Sequence, residues 1–192
     1  IESEELYFSI LPTTTQYARN ALFSGLLPMD LERRYPDLWK DEEEEGSKNL
    51  YEQELLSELL TRNNFTIKHS YHKIIRQDEG KRISDSLNNL MGNKLNVIVY
   101  NFVDALSHAR TDVAVVRELA EDESAYRSIT LSWFDHSPLL DVIRQIAQKG
   151  CSMIITTDHG SIRVTKPSKV VGDRNLNSNL RYKKGQAIQY EK

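Results

Sequence analysis

Apolar positions along this chain fall into two kinds of run. Some are short and nearly continuous, which suits strands, and others recur every three or four residues, which suits helices. The first run, Leu6-Tyr7-Phe8-Ser9-Ile10-Leu11, is rich in aromatic and branched residues and stops at Pro12, which cannot donate to a ladder; it predicts a strand. After Thr13-Thr14-Thr15, a helical pattern runs over residues 16–24, with Tyr17, Ala21 and Leu22 at helical spacing. Gly25 is its left-handed stop, and Pro28 is expected to prevent a restart.

Residues 29–65 change character. Patches at 35–39 and 55–60 flank the acidic run Asp41-Glu42-Glu43-Glu44-Glu45-Gly46, which predicts a loop, an acidic turn and a helix from about 50 to 61. The acidic run itself reads as a solvated face. A strand is expected over 65–75 and a short helix over 81–92, closed near Gly92. Asn96-Val97-Ile98-Val99-Tyr100-Asn101-Phe102-Val103 reads as a central strand covered on both faces. A helix follows at 113–120, frayed by the acidic residues after it. Residues 138–149 predict an amphipathic helix, with Leu139, Leu140, Val142, Ile143, Ile146 and Ala147 on one face and Gly150 as its stop. Ser152-Met153-Ile154-Ile155-Thr156-Thr157 predicts a second buried strand, 162–164 and 169–171 a hairpin, and 175–179 a loop. Strand–helix–strand alternation without repeats of solenoid period points to an α/β fold with a largely parallel sheet.

Composition narrows the class. The 192 residues suit one domain; apolar residues are 39% and charged residues 28%, the balance of a polar-surfaced globule. No charge-free stretch approaches the ~18 apolar residues of a membrane span. With 25 basic and 28 acidic residues the net charge is −3, so charge alone nominates no nucleic-acid binder. Cys151, the one cysteine, cannot pair internally, and its apolar neighbours suit a buried thiol in a reducing, cytoplasmic setting. The opening Ile1-Glu2-Ser3-Glu4 lacks a Met and a cationic, apolar leader, and reads as part of a longer polypeptide.

Three expected strand ends carry polar clusters: Thr13–Thr15, Asp104 with His108, and Asp158 with His159. Strand ends of one parallel sheet lie a few spacings of ~4.8 Å apart, and ligands gather there. Two Asp and two His suit divalent zinc. Each cluster also has a plainer use. Thr15 serves as a helix N-cap, Asp104 as another cap, and Asp158-His159-Gly160 as a turn. Taken together the plainer uses weaken, since Asp104 and His108 share one side of a helical turn and a hydroxyl at a positive helix end is easier to ionise.

These residues resemble a known family. Pro12-Thr13-Thr14-Thr15, a short helix, Ser24-Gly25 and Pro28 look like the nucleophile segment of the alkaline phosphatase superfamily in its phosphodiesterase branch. Asp104-x-x-x-His108 looks like its Asp and His pair on one zinc, and Thr156-Thr157-Asp158-His159-Gly160 like its Asp-His-Gly signature on the other. More closely, residues 9–20, 101–108 and the tail 179–183 are similar to the PglZ domain, in particular that of PorX-type response regulators tied to the type IX secretion system. The resemblance spans nearly the whole chain, is specific around 9–28, 99–111 and 154–164, and is vague over 30–95, which it makes a cap-like insertion.

The resemblance implies a three-layer α/β sandwich with a largely parallel central sheet, and two zinc ions ~3.5–4 Å apart clamping a phosphoryl group. Thr15 would be the nucleophile, forming a phospho-enzyme intermediate. Asp104 and His108 would hold one zinc, and Asp158, His159 and the Thr15 oxygen the other. Arg19 would face a substrate phosphate or serve only at the surface. The implied substrate is a phosphodiester, an oligonucleotide or cyclic oligonucleotide. Implied partners are a receiver domain in the same polypeptide, signalling or secretion-system proteins, and a second copy in a homodimer. The family's further metal-binding Asp and final His are not assignable here. His69, His72 and His136 read as structural or surface residues, so the chain reads as a fragment lacking both ligands, with weak metal binding or none. The competing reading is a non-catalytic signalling domain with a structural or vestigial metal site. A metal-independent nucleotide-binding domain is disfavoured, since no glycine-rich phosphate loop of the usual spacing is present.

Overall fold

The computed structural model describes residues 2–40, 49–161 (Thr111 by its backbone alone), 164–173, 176 and 182–190. In chain order these form helices α1 (Thr15–Ser24), α2 (Pro28–Arg34) and α3 (Glu52–Arg62), strand β1 (His69–Ile74), helix α4 (Gln77–Leu90) and strand β2 (Leu95–Tyr100). Helices α5 (Phe102–Asp112), α6 (Ala114–Leu119), α7 (Glu123–Asp135) and α8 (Pro138–Gln148) follow, then the short strands β3 (Val170–Val171) and β4 (Gln189–Tyr190). β1 and β2 pair in parallel, from His69 opposite Leu95 to Ile74 opposite Tyr100, while β3 and β4 are antiparallel. The class is mixed α/β with a small parallel sheet. The chain divides into two compact units: Ile1–Phe65 with Ile155–Lys192, and Thr66–Ile154.

In the first unit, Thr14 is the N-cap of α1, with extended backbone, and its amide donates to the Pro12 carbonyl at 2.9 Å. Gly25 ends the helix at φ 61°, the left-handed conformation that glycine adopts without strain, and its amide closes on Ala21 O at 2.8 Å. α1 packs on α3, and Ala18, Phe23, Leu31, Trp39, Leu55, Leu56 and Leu60 form the core. Leu31 and Leu55 are wholly buried, worth roughly 2 kcal/mol each in transfer free energy. Pro28 does not prevent a restart: it is the first residue of α2, where its missing N–H costs nothing and its fixed φ suits the helix.

In the second unit, α4 carries the chain from β1 to its parallel neighbour β2. Glu79 fixes the start of α4 by accepting from the amides of Ile75 at 2.8 Å and Arg76 at 3.0 Å. These bonds hold its carboxyl below the usual range. Within α4, Gly80 leaves room for the Tyr100 hydroxyl; a β-carbon at Gly80 would stand 2.5 Å from it. That hydroxyl is buried, finds no hydrogen-bond partner among the described residues, and is pushed by burial to a pKa of about 12. α8 lies against α4 through Gln145 Nε2 to Ser84 Oγ at 3.0 Å and Lys149 Nζ to Asn88 Oδ1 at 2.7 Å. Trp133 of α7 stacks on Phe102 with ring centroids 3.9 Å apart.

Several expectations are corrected. Residues 6–11 and 152–157 are not strands: neither joins a ladder, and Leu6, Phe8, Leu11, Ile154 and Ile155 are exposed. Branched and aromatic runs become strands only where a neighbour supplies cross-strand packing. The run expected over 96–103 stops at Tyr100, because Asn101 turns the chain into α5, and β2 is half-buried rather than covered on both faces. α7 has no counterpart among the expected elements. β3 pairs with β4 instead of with residue 164, and residues 162 and 163 of the expected hairpin lie outside the described residues. So do the acidic run 41–46 and all of the 175–179 loop except Leu176. Cys151 is exposed, not buried, because the segment carrying it leaves α8 as open chain. Among the described residues, no helix is long and apolar enough to cross a membrane.

Candidate functional site

The first unit gathers four of the six residues singled out from sequence. Thr15 is the first helical residue of α1, so the N-cap position belongs to Thr14 and the Thr15 side chain is left for other contacts. Its Oγ1 lies 3.2 Å from His159 Nε2. The same imidazole nitrogen stands 3.7 Å from Asp158 Oδ2, and both side chains are largely buried, at 9% and 14% exposure. Placed at the positive end of a ten-residue helix, the Thr15 hydroxyl sits where negative charge on oxygen is favoured.

The Asp158-His159 loop is held from both sides. Ser9 Oγ donates to the Asp158 carbonyl at 2.8 Å, Thr157 Oγ1 donates to the His159 carbonyl at 2.8 Å, and Tyr7 Oη donates to the Thr157 carbonyl. His159 Nδ1 lies 3.0 Å from the Gly160 carbonyl. A proton on Nδ1 would donate to that carbonyl and leave Nε2 with a lone pair toward Thr15 Oγ1. That is the tautomer a metal ligand needs. Asn49 Nδ2 donates to the Thr15 carbonyl at 3.1 Å and to Asn20 Oδ1 at 3.2 Å, pinning the first turn of α1.

Arg19, one turn into α1, is buried rather than at the surface. Its Nη1 lies 3.5 Å from Glu52 Oε1, and its Nε lies 3.4 Å from Asp158 Oδ2. The Glu52 side chain is 2% exposed. Asp158 Oδ2 is itself buried, faces two cationic or protonatable partners at ion-pair range, and accepts no hydrogen bond among the described residues. Asn49 and Glu52 escaped the sequence reading. Glu52 had a signal: it lies on the apolar stripe of Leu55, Leu56 and Leu60, and a charge in such a stripe needs a partner.

Asp104 and His108 belong to the second unit. They lie one turn apart on α5, with Asp104 Oδ1 3.7 Å from His108 Nε2, so they share a face as their spacing predicts. Asn101, not Asp104, occupies the N-cap of α5. The position of α5 is set by α7, whose Tyr126 hydroxyl donates to Val103 O at 3.3 Å and lies 3.2 Å from Ser107 Oγ. The remaining histidines serve locally: His69 Nδ1 meets Ile67 O at 3.3 Å, His72 Nε2 meets Ser70 Oγ at 3.1 Å, and His136 Nδ1 meets Ser132 O at 2.8 Å.

Among the described residues, no three His, Cys, Asp or Glu side chains form one metal cage. The first unit does bring together donor types that suit zinc, an imidazole nitrogen, a buried carboxylate oxygen and a hydroxyl at a helix start, with the Arg19 guanidinium 3.4 Å from that same carboxylate oxygen. Comparison with curated proteins gives no match. The sequence profile of the family described as "BREX system PglZ alkaline phosphatase-like domain" matches residues 1–192, the full length of the chain, and the protein therefore belongs to that PglZ family.

Proposed function

We propose that this chain is a zinc-dependent phosphodiesterase of the alkaline phosphatase type, in which Thr15 is the nucleophile. One observation carries the reading: the Thr15 hydroxyl, His159 Nε2 and the Asp158 carboxylate lie together at the start of α1. Asp158, His159 and Thr15 would hold one zinc, and Asp104 and His108 a second. Zinc bound there supplies positive charge that eases ionisation of the hydroxyl and offsets charge on the phosphoryl oxygens. Thr15 Oγ1 attacks phosphorus, the bond to the leaving oxygen breaks, and hydrolysis of the phosphothreonine ester restores the hydroxyl. The three-layer sandwich belongs to the same reading. Oligonucleotides or cyclic oligonucleotides are the substrate class, and the setting is the output domain of a two-component response regulator, with a receiver domain in the same polypeptide and type IX secretion proteins as partners. Support for that setting is the likeness at residues 9–20, 101–108 and 179–183 to PorX-type regulators.

The test is hydrolysis of bis(p-nitrophenyl) phosphate with added zinc and with a chelator. Zinc-dependent turnover that falls by ~10³-fold or more in Thr15→Ala is the expected result. Equal turnover in the variant would remove Thr15 from the chemistry. A second reading, a signalling domain with a vestigial metal site, is favoured by the guanidinium of Arg19 beside Asp158 Oδ2, where a cation would bind. Absence of zinc-dependent turnover in the wild type would put that reading first.

A further inference from the structure

Arg19 reaches two carboxylates with two different nitrogens. Nη1 faces Glu52 Oε1 at 3.5 Å and Nε faces Asp158 Oδ2 at 3.4 Å. All three side chains are largely buried: 8% exposure for Arg19, 2% for Glu52 and 14% for Asp158. Burying one cation between two anions is costly unless the geometry satisfies them, so the arrangement is weak evidence of a purely stabilising role. Glu52 is the first residue of α3, Arg19 lies within α1, and Asp158 lies in the loop that carries His159. The guanidinium thus links both helices to the loop.

The geometry points to Glu52 as a positioning residue of the Thr15–Asp158–His159 site, acting through Arg19. Glu52 anchors one edge of the guanidinium and offsets its charge. The other edge then sets the direction of Asp158 Oδ2, the oxygen that also faces His159 Nε2 at 3.7 Å. Without the Glu52 charge, more of the Arg19 charge falls on Asp158 and competes with any cation there. The planar fork is essential, because an ammonium offers a point charge and cannot address two carboxylates in fixed directions. Neither Glu52 nor Arg19 touches the Thr15 hydroxyl, so neither is a catalytic residue. This inference rests on the zinc reading above, and it replaces the expectation that Arg19 faces substrate phosphate.

The experiment measures zinc affinity by competition with a chromophoric chelator, together with kcat and KM on bis(p-nitrophenyl) phosphate. Wild type, Glu52→Gln and Arg19→Lys are compared, with folding checked by circular dichroism. Partners that orient metal ligands are typically worth 10–100-fold in affinity or activity. Zinc Kd should therefore rise by about tenfold or more in both variants, and kcat should fall with it while KM stays level. Should Glu52→Gln fail to fold, Arg19→Lys alone decides, since it keeps the charge. Unchanged zinc affinity in a folded variant would overturn the positioning role and leave the phosphodiesterase reading standing. A raised KM with unchanged zinc affinity would also overturn it, returning Arg19 to substrate contact. No zinc binding by the wild type would overturn both.

Discussion

At the residue scale, small spatial facts decide what each side chain does. Gly80 and Tyr100 form a matched pair: the missing β-carbon makes room for a buried hydroxyl that lacks a hydrogen bond among the described residues. Gly80→Ala gains up to ~1 kcal/mol of helix propensity but forces the Tyr100 ring, which lies edge-on to Trp133 at 6.1 Å, out of its place. A net loss of about 1–2 kcal/mol is expected in urea denaturation. Tyr100→Phe should be neutral or stabilising, and the double variant should recover most of the Gly80→Ala loss. His72 makes a pH-dependent prediction. Burial lowers its pKa from the ordinary 6.5, so between the two values the unfolded chain binds more protons than the folded one. Stability is then full above about pH 6.5 and falls as pH drops through that value. Denaturation midpoints at pH 7.5 and pH 5.5 should differ less in His72→Gln than in the wild type; an equal difference would contradict this. Sequence singled out Thr15, Asp104, His108, Asp158 and His159 by residue type after apolar runs, and the structure brings Thr15, Asp158 and His159 together. It passed over Glu52 and Asn49, which stand out by their burial rather than by type.

At the element scale, periodicity and stop signals located most helices. α1, α3 and α8 lie close to where spacing and glycine stops put them. α7 was missed although Asp122 is a recognisable N-cap, its Oδ1 accepting from the Ala125 amide at 2.7 Å, and Tyr126, Ile129 and Trp133 follow at helical spacing. Asp122→Ala should cost about 1 kcal/mol and fray the turn carrying Tyr126, measurable as faster amide exchange over 123–127. Gly25 gives a second test. Its φ of 61° disfavours a side chain, and a β-carbon would stand 2.8 Å from Leu59 Cδ1. Gly25→Ala is therefore expected to lose about 1–2 kcal/mol in thermal or urea unfolding. The strands were harder to read, because a ladder is a property of two segments. Residues 6–11 and 152–157 have strand composition and no ladder, whereas His69–Ile74, less apolar, finds Leu95–Tyr100.

At the scale of the whole molecule, the profile match over residues 1–192 and the mixed α/β class agree with the α/β alternation of elements, while the expected largely parallel sheet is represented among the described residues by one parallel pair beside one antiparallel pair. The division into two units was not legible, since the second unit begins inside the stretch 30–95 that the resemblance makes a single insertion. The same division separates the six singled-out residues, with Thr15, Arg19, Asp158 and His159 in one unit and Asp104 and His108 in the other. The most direct test is to trap the protein during turnover of bis(p-nitrophenyl) phosphate by rapid acid quench and map its peptides by mass spectrometry. An aryl-phosphoryl group on Thr15, absent from Thr15→Ala and lost on longer incubation, is the expected result. Zinc-dependent turnover with no modified Thr15 at any time point, or with the group on another residue, would contradict the assignment of Thr15 as nucleophile.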